Sequence, residues 1–201
     1  REEALANCTD QERTALADLT GENFNPVPDF AINPPKGPGQ EYTVSTASRA
    51  AGGKADFENG RSLYFAVGCG TCHRIGGLGG AIGPDLTSIP HKFDKNYLIE
   101  AIVNPSKDIS DQYGSSVITL QNGEKHTGLA VEQGDEIKLY PPDVKARPTV
   151  FARQNIRSIG QSPVSQMPPG LLNFLNPQEV RDLVAYLMAG GNPKDRAYTR
   201  R

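Results

Sequence analysis

Residues 69–73 read Cys69-Gly70-Thr71-Cys72-His73. A C-x-x-C-H run is the attachment signature of c-type haem. Its two thiols form thioethers to the haem vinyl groups, and the adjacent histidine lies under the ring and supplies an axial nitrogen to the iron. Two other chemistries use C-x-x-C. A zinc knuckle needs a second ligand pair at similar spacing, and the third cysteine of the chain, Cys8, stands alone far upstream. A thiol–disulfide exchanger needs strand–helix alternation around the motif, which the flanking sequence lacks.

Composition suits a fold with a cofactor in its core. The chain has 201 residues, enough for one large or two small domains. Only 37% are hydrophobic, and 21 glycines with 16 prolines imply much loop. A net charge of −2 points away from nucleic acid and from anionic membrane surfaces. No apolar run approaches the length of a membrane span. Haem is attached to C-x-x-C-H outside the bacterial cytoplasm. A periplasmic or otherwise exported location is therefore expected, with a signal segment upstream of Arg1 in a precursor.

Working outward from the motif, residues 55–67 read as a helix leading into it. Asp56 is its cap, and Phe57, Tyr64 and Phe65 surround Gly60. A glycine there weakens the helix and implies close approach by another element. The strongest helix pattern is 177–189. Asn176 caps it, Pro177 opens the first turn and Glu179 completes a capping box. Val180, Leu183, Val184, Leu187 and Met188 form one apolar stripe, and Gly190-Gly191 ends the helix. A third helix is expected at about 94–103, with Tyr97, Leu98, Ala101 and Ile102 inward and Asn104-Pro105 as its stop. Residues 1–20 have a weak helical pattern that includes Cys8, either an isolated thiol or half of a disulfide to another segment. Residues 25–39, with five prolines, read as a linker or strap.

A helix with Gly60 and Tyr64, the Cys69–His73 motif, Gly83-Pro84-Asp85-Leu86 and a last helix with Tyr186 together resemble a class I cytochrome c. The resemblance implies a mainly α fold whose first and last helices cross at the glycine and aromatics. It also implies one covalent haem c on Cys69 and Cys72, and a Pro84 carbonyl that accepts the His73 Nδ1–H. A ligating histidine commonly gives its second nitrogen to a carbonyl, which fixes tautomer and ring orientation.

The second axial ligand has several candidates: Met167, Met188, His91 and His126. Met188 lies on the apolar stripe. His91 reads as a loop surface residue, and His126 falls in a strand pattern and reads as solvated. Met167 lies in Ser165-Gln166-Met167-Pro168-Pro169-Gly170-Leu171, where prolines deny local helix. The resemblance places the family's methionine in this position, although a loop methionine is also a common gap filler. Phe65, Leu78, Ile82, Leu86, Leu98, Ile102, Leu171 and Phe174 are the expected pocket wall, and plain core packing is the competing reading for each.

The spacing departs from a small cytochrome c over about 114–162, where the period changes. Val117–Leu120 runs into Asn122-Gly123, a hairpin signal. Thr127–Glu132, a Gly134-Asp135 turn, Ile137–Tyr140, Thr149–Phe151 and Asn155–Ile159 follow as short strands. This predicts a small antiparallel β-subdomain inserted before the methionine loop. The layout is similar to the haem-binding domain type abundant in planctomycetes and verrucomicrobia. That type often ends large secreted proteins with dehydrogenase-like β-propeller or sugar-processing domains. The expected organisation is an N-terminal helix and strap at 1–52, a cytochrome domain at 53–190 interrupted by 114–162, and a tail at 191–201.

The resemblance implies a non-enzymatic carrier that takes one electron from a dehydrogenase domain or protein and passes it to a later acceptor, either free-standing or as part of a larger oxidoreductase. Two other readings stand beside it. Without a methionine ligand, the iron would bind gas or peroxide. Alternatively, the β insertion would grip carbohydrate or a partner, although Tyr140 and Phe151 are its main aromatics.

Overall fold

A computed structural model describes residues 28–80, 82–110, 113–141 and 147–199. The helix expected over 1–20, and Cys8 within it, lie outside the described residues.

Two helices organise the larger core. α2 (Phe57–Ala66) follows α1 (Val44–Ala50), and α6 (Pro177–Met188) closes the fold. Asp56 caps α2 by accepting the Asn59 N–H at 2.9 Å. Asn176 and Glu179 form the reciprocal capping box of α6, with Pro177 in its first turn. The two helices cross at Gly60. A Cβ there would lie 2.2 Å from the Asp182 carbonyl oxygen, so only glycine permits this approach. Phe57, Tyr64 and Tyr186 pack around the crossing, with ring centroids 5.4 Å apart for Phe57–Tyr186 and 5.6 Å for Tyr64–Tyr186. Val180, Leu183, Val184 and Leu187 are fully buried, each contributing about 1.5–3 kcal/mol of burial. Met188 ends the stripe half-buried against the same core.

The described helices continue with α3 (Cys69–Cys72), α4 (Ile89–Lys92), α5 (Lys95–Val103) and the C-terminal α7 (Arg196–Thr199). The inward face of α5 differs from expectation. Leu98, Ile99 and Ile102 are buried, whereas Tyr97 and Ala101 are exposed. Tyr97 stays at the surface because its ring stacks on Phe93 at 4.5 Å and its hydroxyl donates to Asp108 at 2.9 Å. The proline-rich stretch crosses the surface without helix from residue 28 to Thr43. There the chain turns into α1, a helix the sequence did not signal, and Tyr42 and Ala47 enter the main core.

Strand is concentrated between α5 and α6. A two-residue pair, β1 (Arg74–Ile75) and β2 (Leu78–Gly79), follows the C-x-x-C-H motif. The main sheet contains β3 (Ser116–Leu120), β4 (Lys125–Gln133), β5 (Glu136–Tyr140), β6 (Thr149–Ala152) and β7 (Ile156–Gln161). Its order is β6-β5-β4-β3-β7, antiparallel throughout. β4 pairs with β3 through its first half and with β5 through its second, so the sheet curls over its own small core of Ile118, Ile137 and Leu139. The first and last strands are neighbours, and the Ser162 N–H donates to the Ser115 carbonyl at 2.7 Å just beyond them. A mainly α description therefore fits the helical part alone. With about 34% helix and 21% strand among the described residues, the fold combines both.

Gly60→Ala tests the crossing. Alanine gains about 1 kcal/mol of helix propensity, but the clash with the Asp182 backbone should cost about 1–3 kcal/mol beyond that gain. A lower denaturant midpoint is expected; an unchanged or higher one would mean that the helices do not depend on this approach.

Candidate functional site

The motif stands where α2 ends. The carbonyl ladder of α2 closes at Val67, Gly68 turns left-handed at φ 88°, and the chain re-enters a single helical turn, α3. One turn places residues i and i+3 on the same face, so Cys69 and Cys72 project together. Gly70 lies against the Phe65 ring, where a Cβ would come within 2.5 Å of Cδ1. Both cysteines are free thiols. Burial pushes the Cys69 thiol up to about 12 and also raises that of Cys72. Neither is the low-pKa thiolate that an exchanger needs. Among the described residues, no cluster of three or more His, Cys, Asp or Glu side chains is arranged for a metal ion, so the zinc reading has no second ligand set.

His73 is held on every side but one. Its N–H donates to the Cys69 carbonyl at 3.0 Å. Its own carbonyl accepts the Tyr64 hydroxyl at 2.6 Å. Its Nδ1 lies 2.9 Å from the Pro84 carbonyl. A carbonyl can only accept, so the proton resides on Nδ1 and the Nε2 lone pair is left for another partner. Burial pulls the imidazole below its ordinary value, against the opposing effect of the Pro84 carbonyl, and so favours the neutral ring that binds metals. The ring face is pressed on Gly83, where a Cβ would approach Cε1 to 2.6 Å and Nδ1 to 2.7 Å. The loop after His73 folds back over the motif to achieve this. Gly80 N–H donates to Gly70 O at 2.9 Å, Gly83 N–H to Cys72 O at 2.8 Å, and Leu86 N–H to Arg74 O at 2.7 Å.

The other expected residues fall into groups. Leu86, Leu98 and Ile102 are buried in the main core, with Phe65, Met167 and Leu171 half-buried against it. Leu78 and Ile82 are half-buried in the loop after His73. Phe174 differs, being 65% exposed. Residues 171–174 form a 3₁₀ turn. Its threefold period sends Leu172 and Leu175 inward and leaves Phe174 outside.

Met167 is reached by an irregular segment fixed by serines. Its N–H donates to Ser165 Oγ at 3.1 Å, and the Ser165 N–H donates to Ser106 Oγ at 3.1 Å, just beyond α5. His91 is exposed, as expected, but lies on the short helix α4 and not in a loop. His126 is half-buried, with its ring 4.8 Å from that of Phe151, and is therefore less solvated than its strand position suggested.

Two features of the site escaped the sequence reading. The Tyr64 hydroxyl is the partner of the His73 carbonyl, and Gly83 is the floor of the imidazole. The signal for the first was available, because a tyrosine on a buried helix face needs a partner for its hydroxyl. The second depends on a contact ten residues apart across a loop, which no local pattern encodes.

The residues present fit haem c: paired thiols on one face, a neutral imidazole with Nε2 uncommitted, and an apolar surround. No curated protein matches the chain. Residues 57–140 match the family described as Cytochrome c, a match that takes in the C-x-x-C-H motif, Pro84 and α5 and ends in β5, short of Met167. That family performs haem-based electron transfer with covalent haem c, and the matched stretch, 57–140, is a cytochrome c domain with Cys69 and Cys72 in its C-x-x-C-H motif.

Proposed function

We propose that the protein is a single-haem electron carrier of the class I type, with Cys69 and Cys72 as the thioether anchors and His73 and Met167 as the axial ligands. The observation that carries this reading is the His73 Nδ1 to Pro84 carbonyl contact of 2.9 Å, which leaves Nε2 for the iron. Bound haem c supplies a one-electron Fe(III)/Fe(II) couple. The chain's own residues set the conditions for it. Pro84 and Gly83 fix the imidazole plane, and Tyr64 anchors the backbone that carries the ring. Leu86, Leu98, Ile102 and Leu171 exclude water. With Met167 and His73 holding the haem, a thioether beside an imidazole would favour the reduced state relative to two imidazoles. Of the two methionines, Met167 is favoured because it sits on irregular backbone, free of the helix ladder that holds Met188. The donor is a dehydrogenase domain or protein and the acceptor is a later redox protein, in an exported setting. Among the described residues, no helix is long and apolar enough to cross a membrane.

In this reading the domain runs from 53 to 190, and residues 114–162 are an insertion that selects the partner and does not carry the chemistry. Its independent core and the closure of its ends by Ser115 and Ser162 support that division. So does the Met167 segment, whose serine contacts run to Ser106 at the end of α5.

Three outcomes are expected. Denaturing mass analysis should give the chain plus one haem, and Cys69→Ala/Cys72→Ala should lose the covalent adduct; a zinc-bearing chain or a Cys69–Cys72 disulfide would overturn the assignment. Met167→Ala should abolish the far-red thioether band and open the ferrous protein to carbon monoxide, with Met188→Ala retaining both native properties. The reverse pattern would identify Met188 as the ligand. Replacing about 115–160 with a short Gly/Ser linker should preserve covalent haem and low-spin iron, and should slow reduction by the native donor far more than by a small chemical reductant. Equal slowing of both would remove the partner-selecting role.

A further inference from the structure

The stretch read from sequence as a linker or strap is docked, with its contacts concentrated just beyond the proposed ligand loop. Glu179, buried on α6, accepts the Lys36 N–H at 2.6 Å, and Asn176 Nδ2 donates to the Gly37 carbonyl at 3.1 Å. The Tyr42 N–H donates to Asn173 Oδ1 at 3.1 Å, and the buried Tyr42 hydroxyl donates to the Leu175 carbonyl at 3.2 Å. Between these contacts Gly39 is pressed on the 3₁₀ turn, where a Cβ would fall 2.0 Å from the Asn173 carbonyl oxygen. Residues 36–42 therefore grip 173–179 over their whole length. That grip begins six residues after Met167, past Pro168-Pro169, whose fixed φ angles transmit position along the backbone. A cleft of about 700 Å³ lies between Glu41–Ser45 and the end of α5, with Pro169, Gly170 and Leu172 on its wall.

Resting on the ligand reading above, we propose that residues 36–42 are the positioning element of the Met167 loop, with Gly39 and Tyr42 as the positioning residues. The strap closes the downstream end of the loop, as Ser165 on Ser106 closes the upstream end. Loosening it would let Met167 move away from a bound haem more often without changing the thioether itself.

The test uses the full haem-loaded chain. Gly39→Ala forces strap and turn apart, and Tyr42→Phe removes one bond. Asn173→Ala alters an exposed side chain and serves where the other two fail to fold. Ser62→Ala is the control: it breaks a different strap contact, the Asn33 N–H to Ser62 Oγ at 2.7 Å, on α2 and away from the loop. The clamp variants should bind carbon monoxide in the ferrous state about tenfold faster, the equivalent of one lost hydrogen bond. They should also show faster amide exchange at 164–172, and Ser62→Ala should match the parent in both. Parent-like binding and exchange in the clamp variants would overturn the proposal. Equal acceleration in Ser62→Ala would also overturn it, by showing general loosening. A parent protein with no thioether band removes the ligand reading itself, and the positioning role with it, a result distinct from either of the others.

Discussion

The fold depends on how closely α2 can approach α6. Gly60 brings the α2 backbone against the Asp182 carbonyl, a distance no side chain allows. That approach determines the direction in which α2 delivers the chain to Gly68, and so the placement of the Cys69–Cys72 turn and His73. Tyr64, one helical turn beyond Gly60 on α2, then converts the crossing into site geometry. Its ring packs on Tyr186 of α6 and its hydroxyl donates to the His73 carbonyl. The position of the imidazole is thus set by helix packing on one side and by the Pro84 loop on the other.

Two buried carboxylates on α6 hold the remaining pieces to this crossing. Asp182 accepts the Asp56 N–H at 2.9 Å and Asn59 Nδ2 at 2.8 Å, fixing the start of α2. Glu179, one turn earlier, accepts from Asn176 and from Lys36 of the strap. Buried charge is costly unless every oxygen is engaged. Each carboxylate here meets that condition by taking donors from segments distant in sequence. They therefore specify which segments dock, while the apolar stripe between them supplies the burial energy.

Much of this was legible in the sequence because it is local. The caps Asp56 and Asn176, the α6 stripe, the strands after Val117 and the hairpin at Asn122-Gly123 are each encoded within a few residues, and their positions agree with the structure. The C-x-x-C-H motif was legible through its chemistry, and the Pro84 carbonyl through the resemblance of Gly83-Pro84-Asp85-Leu86 to a class I cytochrome c. What was not legible is long-range. Nothing near Gly39 or Tyr42 announces Asn173, so the sequence left linker and strap open and gave no docking partner. Tyr97 and Ile99 exchanged roles because a tyrosine with a surface partner, Asp108, has no need of the core. Phe174 was placed inside by its hydrophobicity, but a 3₁₀ turn keeps a period of three, and Leu172 and Leu175 took the inward positions.

The two cores divide the work physically. Ile118, Ile137 and Leu139 are covered by the curl of their own sheet, a core distinct from that of the helices. Its two ends meet through Ser115 and Ser162, which lets it join the chain at essentially one point. An element attached this way can change size or charge without shifting the α2–α6 crossing. The Met167 segment, beginning immediately after Ser162, would be exposed to any such change were it not tied separately to Ser106 before the methionine and to the strap after it. Those two ties hold the loop on both sides of the methionine independently of the sheet that precedes it, so the helical core fixes the proposed ligand from both ends.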